Sequence, residues 1–292
     1  MLFHMSNRLI ACLFAAFIFA LSHVQAGTLA QFRTVFGDIE VELYDQDKPV
    51  TVQNFIRYVQ SGRYTNEFSH RLMPGFVLQG GGFAVANPGA TNWQVYAIPT
   101  FPPIVNEFGT GPRLSNVYGT IAMAKLRGDT NSATAQWFFN LVDNTALDAP
   151  DTNNLFVVFG RVVKGTNVLN LFNNFQNYNG TQQSNLVANI DGNFGNYFYP
   201  NFASCPLLLP YVTSTNFVFI DITLLQVAVQ PVAGGRQISW NSAAGMTNIV
   251  EFTTNMPPVW STFSSTNGNG VRMSVTDYAA DPRRFYRVRV AY

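Results

Sequence analysis

The chain has 292 residues, 47% of them hydrophobic and only 11% charged, with 26 Phe. That composition excludes disorder and requires a sizeable, aromatic-rich core, in one large domain or two small ones. A formal net charge of +1 supplies no basic face for nucleic acid or for an anionic membrane surface.

The N-terminus reads as a secretory signal over residues 1–26. Arg8 provides the positive start, Leu9 to Leu21 is an apolar run, and Val24-Gln25-Ala26 is a small-x-small cleavage site. The run is too short for a comfortable transmembrane helix. The expectation is an exported protein, periplasmic or secreted, with no membrane partner once the signal is cut. Cleavage removes Arg8 and no acid, leaving 17 − 1 = 16 basic against 16 acidic residues, a balance of zero. It also removes Cys12, His4 and His23, so only Cys205 and His70 remain. No intramolecular disulfide is then possible, and neither is a multi-histidine metal site. No cofactor or metal is expected. A Ser-His-Asp enzyme would depend on His70, and no Gly-x-Ser-x-Gly turn accompanies it.

Alternation of Phe32, Val35, Ile39, Val41 and Leu43 about Gly37-Asp38 predicts a pair of strands over 29–44. Pro49 opens a helix whose apolar residues are Val52, Phe55, Ile56 and Val59, and Gly62 ends it. Strand and turn fill 68–83, and a proline-rich loop fills 84–118. Buried strands are expected at 119–125, 135–142 and 155–163. A short helix at 166–174 follows, with Val168, Leu171 and Phe172 on one face. Residues 173–203, rich in Asn, Gly and aromatics, read as a surface insertion, and 216–227 as a closing strand. A boundary near Gln230-Pro231 separates 27–230 from a small all-β module at 231–292, expected to be a sandwich. Within it Tyr286, Val288, Val290 and Tyr292 alternate with Arg287 and Arg289, giving one buried and one wet face. Arg283 and Arg284 read as solvated as well.

Phe68-Ser69-His70-Arg71-Leu72-Met73-Pro74-Gly75-Phe76-Val77-Leu78-Gln79-Gly80-Gly81 resembles the signature segment of the cyclophilin-type peptidyl-prolyl cis-trans isomerases. Gly37 to Leu43 and Pro49 to Phe55 resemble the family's opening hairpin and first helix. Gly119 to Ala124, Ser132 to Asn140 and Val157 to Val163 continue the likeness, which covers 32–163. The resemblance implies a mainly β fold, a closed eight-stranded antiparallel barrel capped by two helices. It implies a peptidyl-prolyl cis-trans isomerase acting on proline-containing polypeptides, with Arg71 as the catalytic residue. It also implies a substrate site of His70, Phe76, Gln79, Met123, Ala124, Gln136, Phe138, Leu147 and Phe156. Ser69 is an extra residue or a local shift against the family pattern. Ala146 stands where Trp is frequent, Phe156 where His is, and Lys125 where Asn is, while Asp148 to Asn154 lengthens a loop. The alternative is a non-catalytic peptide-binding or surface-interaction module on the same scaffold, its C-terminal ligand unknown.

Taken without the family, these residues are bland. Gly80-Gly81-Gly82 lacks the Lys-Ser/Thr of a phosphate loop and reads as a tight turn. Phe76, Met123 and Phe138 would be core, and His70 a satisfied core histidine.

Overall fold

The computed structural model describes residues 28–149, 155–181, 184–190, 202–225, 227–242, 247–255, 258–269 and 271–291. The signal segment, part of the 173–203 insertion and most of the Asp148–Asn154 loop lie outside the described residues.

The main sheet draws on β1 (Leu29–Thr34), β2 (Gly37–Leu43), β3 (Arg71–Met73), β4 (Val77–Gly80), β7 (Thr120–Met123), β8 (Trp137–Asn140), β9 (Val158–Lys164) and β13 (Asp221–Leu225). Their order is β13-β1-β2-β9-β7-β8-β4-β3, all neighbours antiparallel. Helices α1 (Pro49–Gln60) and α2 (Thr166–Asn173) belong to this unit. Phe32 lies at the centre of the core, its ring 5.7 Å from Phe55 and 5.1 Å from both Trp137 and Phe139.

The expected closed barrel is not formed. Strands β3 and β13 are the two edges of an open, curled sheet. Where they approach, the chain makes one isolated bridge, Phe68↔Phe219, with Ser69 N–H on Val218 O (2.9 Å) and Ile220 N–H on Glu67 O (3.0 Å). The physical reason is that β3 has only three residues and its outer N–H, that of Leu72, is already given to Ser204 O (2.7 Å). A donor used there cannot also serve a ladder to β13. Ser69 is no insertion into a ladder. It is fully buried, its hydroxyl on Gln79 O (3.0 Å), and the β3–β4 register runs on uninterrupted.

Helix α1 buries Val52, Phe55 and Ile56, as its spacing predicts. Glu107 satisfies its first amides, accepting from Val50 N–H (3.1 Å) and Thr51 N–H (2.7 Å), which fastens the 99–117 loop to the helix. In α2 the buried residues are Val168, Leu169 and Phe172. Leu171 is turned outward at 38% exposure, because the buried arc of a 3.6-residue helix through 168 and 172 continues to 169. The 84–118 stretch is not all loop. Strands β5 (Phe83–Ala86) and β6 (Gln94–Ala97) form a hairpin there. After α2 come β10 (Gln176–Asn177), β11 (Leu186–Ala188) and β12 (Cys205–Leu207), a small separate sheet.

Beyond Leu225 lie β14 (Val227–Val232), β15 (Gly235–Asn241), β16 (Thr247–Thr253), β17 (Ser261–Asn267), β18 (Arg272–Asp277) and β19 (Phe285–Ala291). They form two three-stranded antiparallel sheets, β14-β15-β18 and β17-β16-β19. Ile238 and Trp240 from the first and Val250 and Val288 from the second share one apolar cluster with Leu225. Arg284 is not a solvated residue. Its side chain is 12% exposed and pairs with Asp277 and Asp281, both at 2.6 Å, while Arg287 and Arg289 both reach Glu251.

Candidate active site

Residues opposite one another on neighbouring strands share a face of the sheet. Arg71 on β3 lies opposite Gln79 on β4, Gln79 opposite Phe138 on β8, and Phe138 opposite Ala122 on β7. One row across four strands therefore carries a cation, an amide, an aromatic ring and a small apolar side chain. The β3–β4 hairpin that sets the row turns at Pro74-Gly75, where Gly75 has φ +75° and a side chain would be strained.

The guanidinium of Arg71 is fixed. Nη1 donates to Gln79 Oε1 (3.3 Å), Nη2 lies 2.6 Å from Met73 Sδ, and its central carbon stands 5.8 Å from the Phe76 ring centroid. Gln79 is held in turn, its Nε2 donating to Gln136 Oε1 (2.6 Å). Partial burial pulls the Arg71 pKa below its ordinary value, yet a guanidinium does not lose its proton in a protein. His70 packs behind this pair, 3% exposed, hydrogen-bonded to Gln136 and edge-on to Phe83 at 5.1 Å. Burial first, then the charge of Arg71, pull its pKa down to about 3, so the ring is neutral in the physiological range. A β-carbon on Gly82 would come within 2.8 Å of the His70 ring. Only glycine lets His70 and Gln136 close on that turn.

Beside the polar row, Val77, Ala122, Phe138 and Val158 are buried together, with Phe76, Ala124, Leu147, Phe156, Tyr44 and Leu114 packed around them. Phe156 stands edge-on to Phe138 at 5.7 Å, and Lys125 Nζ lies 4.6 Å over the Phe156 ring. The structure thus brings together every residue expected at the site except Met123. Met123 is 2% exposed and belongs to the main core with Trp137, because it is one residue from Ala122 along β7 and faces the other way. Val77 is the residue that sequence reasoning missed. It lies two positions before Gln79 on the same strand, so alternation alone would have found it.

A chain of buried amides holds the apolar walls in place. Asn144 Nδ2 donates to Phe76 O (2.9 Å) and to Asn140 Oδ1 (2.8 Å), and Asn140 Nδ2 to Asn116 Oδ1 (3.1 Å). Asn116 Nδ2 reaches Phe156 O (2.9 Å) and Asp148 Oδ1 (2.7 Å), and Asp148 also accepts from Ser115 Oγ. Leu147 O accepts from Phe156 N–H at 3.1 Å. Asn116→Leu should strand several of these partners in a site with no exposure. Each buried group left unsatisfied costs about 1–3 kcal/mol. A clear drop in the urea midpoint with an unchanged slope is expected. A wild-type midpoint would show the network to be dispensable.

With this geometry in hand, comparisons with known proteins are specific. The sequence pattern of the family described as cyclophilin type peptidyl-prolyl cis-trans isomerase/CLD matches residues 29–190. A peptidyl-prolyl cis-trans isomerase of Acinetobacter baylyi is 40% identical over 148 residues, 51% of this chain and 73% of that protein. Peptidyl-prolyl cis-trans isomerase A of Dickeya dadantii is 40% identical over 156 residues, 53% and 76% of the two chains. Isomerase B of Escherichia coli is 39% identical over 144 residues, 48% and 81%. Among solved structures, a cyclophilin type isomerase of Cryptosporidium parvum, crystallised in the presence of the dipeptide Ala-Pro, aligns with a TM-score of 0.43 at 20% identity. That alignment covers 67% of this chain and 98% of the other. The matched span contains the whole Arg71 row and the walls beside it, and by that match the chain belongs to the cyclophilin-type peptidyl-prolyl cis-trans isomerase family.

Proposed function

We propose that this chain catalyses rotation about X-Pro bonds in exported polypeptides, with Arg71 stabilising the twisted transition state. The observation that carries this reading is the placement of Arg71: a held, permanently charged donor beside an apolar cluster that includes Phe76 and Phe138. Amide resonance opposes the rotation with a barrier of about 18–20 kcal/mol. As the bond twists, the proline nitrogen loses its conjugation and regains a lone pair. A guanidinium beside it then gains an acceptor that the planar ground state lacks, which is differential binding of the transition state. Phe138 and its neighbours hold the prolyl ring. Gln79 and Gln136, tied to each other, hold the peptide backbone on either side. No bond is made or broken, so no general base is needed, in keeping with a neutral, buried His70. Export of the enzyme to its clients rests on the N-terminal sequence.

The test is direct. The chain from residue 27 onward should accelerate cis-trans relaxation of a short Ala-Pro peptide. A rate equal to that of the uncatalysed peptide would favour the non-catalytic binding module instead.

A further inference from the structure

Strand β3 carries Arg71 and is only three residues long, laddered on one side to β4. Such a strand at an open sheet edge frays unless something covers it. What covers it here is the segment that follows α2. Leu72 N–H donates to Ser204 O (2.7 Å), and the Cys205 thiol lies 3.9 Å from Ser69 O. Just before them, Phe202 is fully buried. Its ring stands 4.8 Å from Phe83 and 6.0 Å from Phe68, and Phe83 is in turn the ring against which His70 packs. From behind, β12 is laddered to β11, with Leu186 opposite Leu207, and Leu208 N–H reaches Asn216 O (2.8 Å). The contacts form a continuous path: β11, β12 and Phe202 press on Phe83 and Leu72, and these fix His70 and the backbone of Arg71.

We propose that Phe202 and strands β11 and β12 act as a buttress for the catalytic strand, with Phe202 as the positioning residue. Phe202 is too far back to touch substrate. It acts through Phe83, His70 and the Leu72 amide on the place that the Arg71 guanidinium holds. A donor that must meet a nitrogen only in the transition state tolerates little displacement, so the loss should fall on turnover and not on binding. This inference rests on Arg71 being the transition-state donor, and the experiment separates the two.

Phe202→Ala, Phe202→Leu and Arg71→Ala are assayed on one Ala-Pro peptide, with thermal unfolding and the Arg71 Nε–H resonance followed in parallel. Phe202→Ala should lower kcat about tenfold and change KM less than twofold, with the Arg71 resonance shifted or broadened at temperatures where the protein remains folded. Phe202→Leu, which keeps most of the apolar volume, should recover about half of that loss on a logarithmic scale. If the Ala variant does not fold, the Leu variant decides, and wild-type kcat in it overturns the proposal. A lowered melting temperature with wild-type kcat in Phe202→Ala also overturns it, as does a fall in rate that only tracks the folded fraction. If Arg71→Ala is inactive while Phe202→Ala is fully active, the buttress alone fails. If Arg71→Ala keeps its rate, the reading of Arg71 fails with it.

Discussion

Arg71→Ala should lower kcat/KM for an Ala-Pro peptide by roughly ten- to two-hundred-fold. A hydrogen bond to a charged group contributes about 1.5–3 kcal/mol, and each 1.36 kcal/mol is tenfold in rate. In the proposed mechanism the bond to the prolyl nitrogen forms only in the twisted state, so kcat should carry the loss and KM should move little. The fold should survive, since the guanidinium has a long contact to Gln79, one to a thioether and one to the Phe76 ring, and pairs with no buried carboxylate among the described residues. Gln79 would lose a partner but keep Gln136. Arg71→Lys should recover only part of the rate, because an ammonium is a point charge on a flexible stem and lacks the planar fork that the site holds in place. Equal rates for wild type and Arg71→Ala would refute the assignment whatever the stability data show.

Arg71, Gln79 and Phe138 were legible in the sequence through the family resemblance of the segments that carry them, Phe68 to Gly81 and Ser132 to Asn140. A hairpin turning at Pro74-Gly75 puts Arg71 opposite Gln79 on one face, whereas Phe138 joins them only through the long-range pairing of β4 with β8. Met123, which the resemblance implies at the site, packs instead in the main core. All four residues of β7 are buried, so no change in polarity marks which of its faces looks toward the site. The β5–β6 hairpin was hidden by Pro88 and Gly89, which read as loop but stand in the loop joining its two strands. The open barrel was beyond reach of any local signal. It depends on Leu72 giving its amide to Ser204, more than a hundred residues away in the chain. Arg284 differs: its partners Asp281 and Asp277 lie three and seven residues earlier in the chain, a nearby acidic signal that its own charge masked.

Stability should depend on pH through two buried groups of opposite sign, one on either side of the Phe68 bridge. His70 is held neutral, its pKa depressed to about 3, while in the unfolded chain it titrates near 6.5. Below about pH 6.5 the unfolded chain takes up a proton that the native state refuses. The contribution of His70 is therefore complete above 6.5 and is lost as pH falls toward 3, at up to about 1.4 kcal/mol per pH unit. Between pH 6 and pH 4 this amounts to roughly 2–3 kcal/mol. Glu67 behaves in reverse. It is fully buried, neither carboxyl oxygen has a hydrogen-bond partner among the described residues, and burial, with the charge of Asp221, raises its pKa well above the carboxylate range. The nearby Gly81 amide offsets only part of that. Its neutral form is favoured, so its contribution is present below the unfolded pKa of about 4.3 and is lost as pH rises through the folded value. Glu67→Gln keeps the shape and cannot ionise. It should match wild type near pH 4 and exceed it increasingly at neutral and higher pH. His70→Gln should flatten the loss between pH 6 and pH 4 that wild type shows, while the other carboxylates, common to both proteins, cancel in the difference. Urea unfolding of the three proteins from pH 4 to pH 8 decides the matter. An unchanged slope in His70→Gln would mean that the imidazole is protonated in the folded protein, and a constant offset in Glu67→Gln would mean that the carboxyl is already ionised throughout that range.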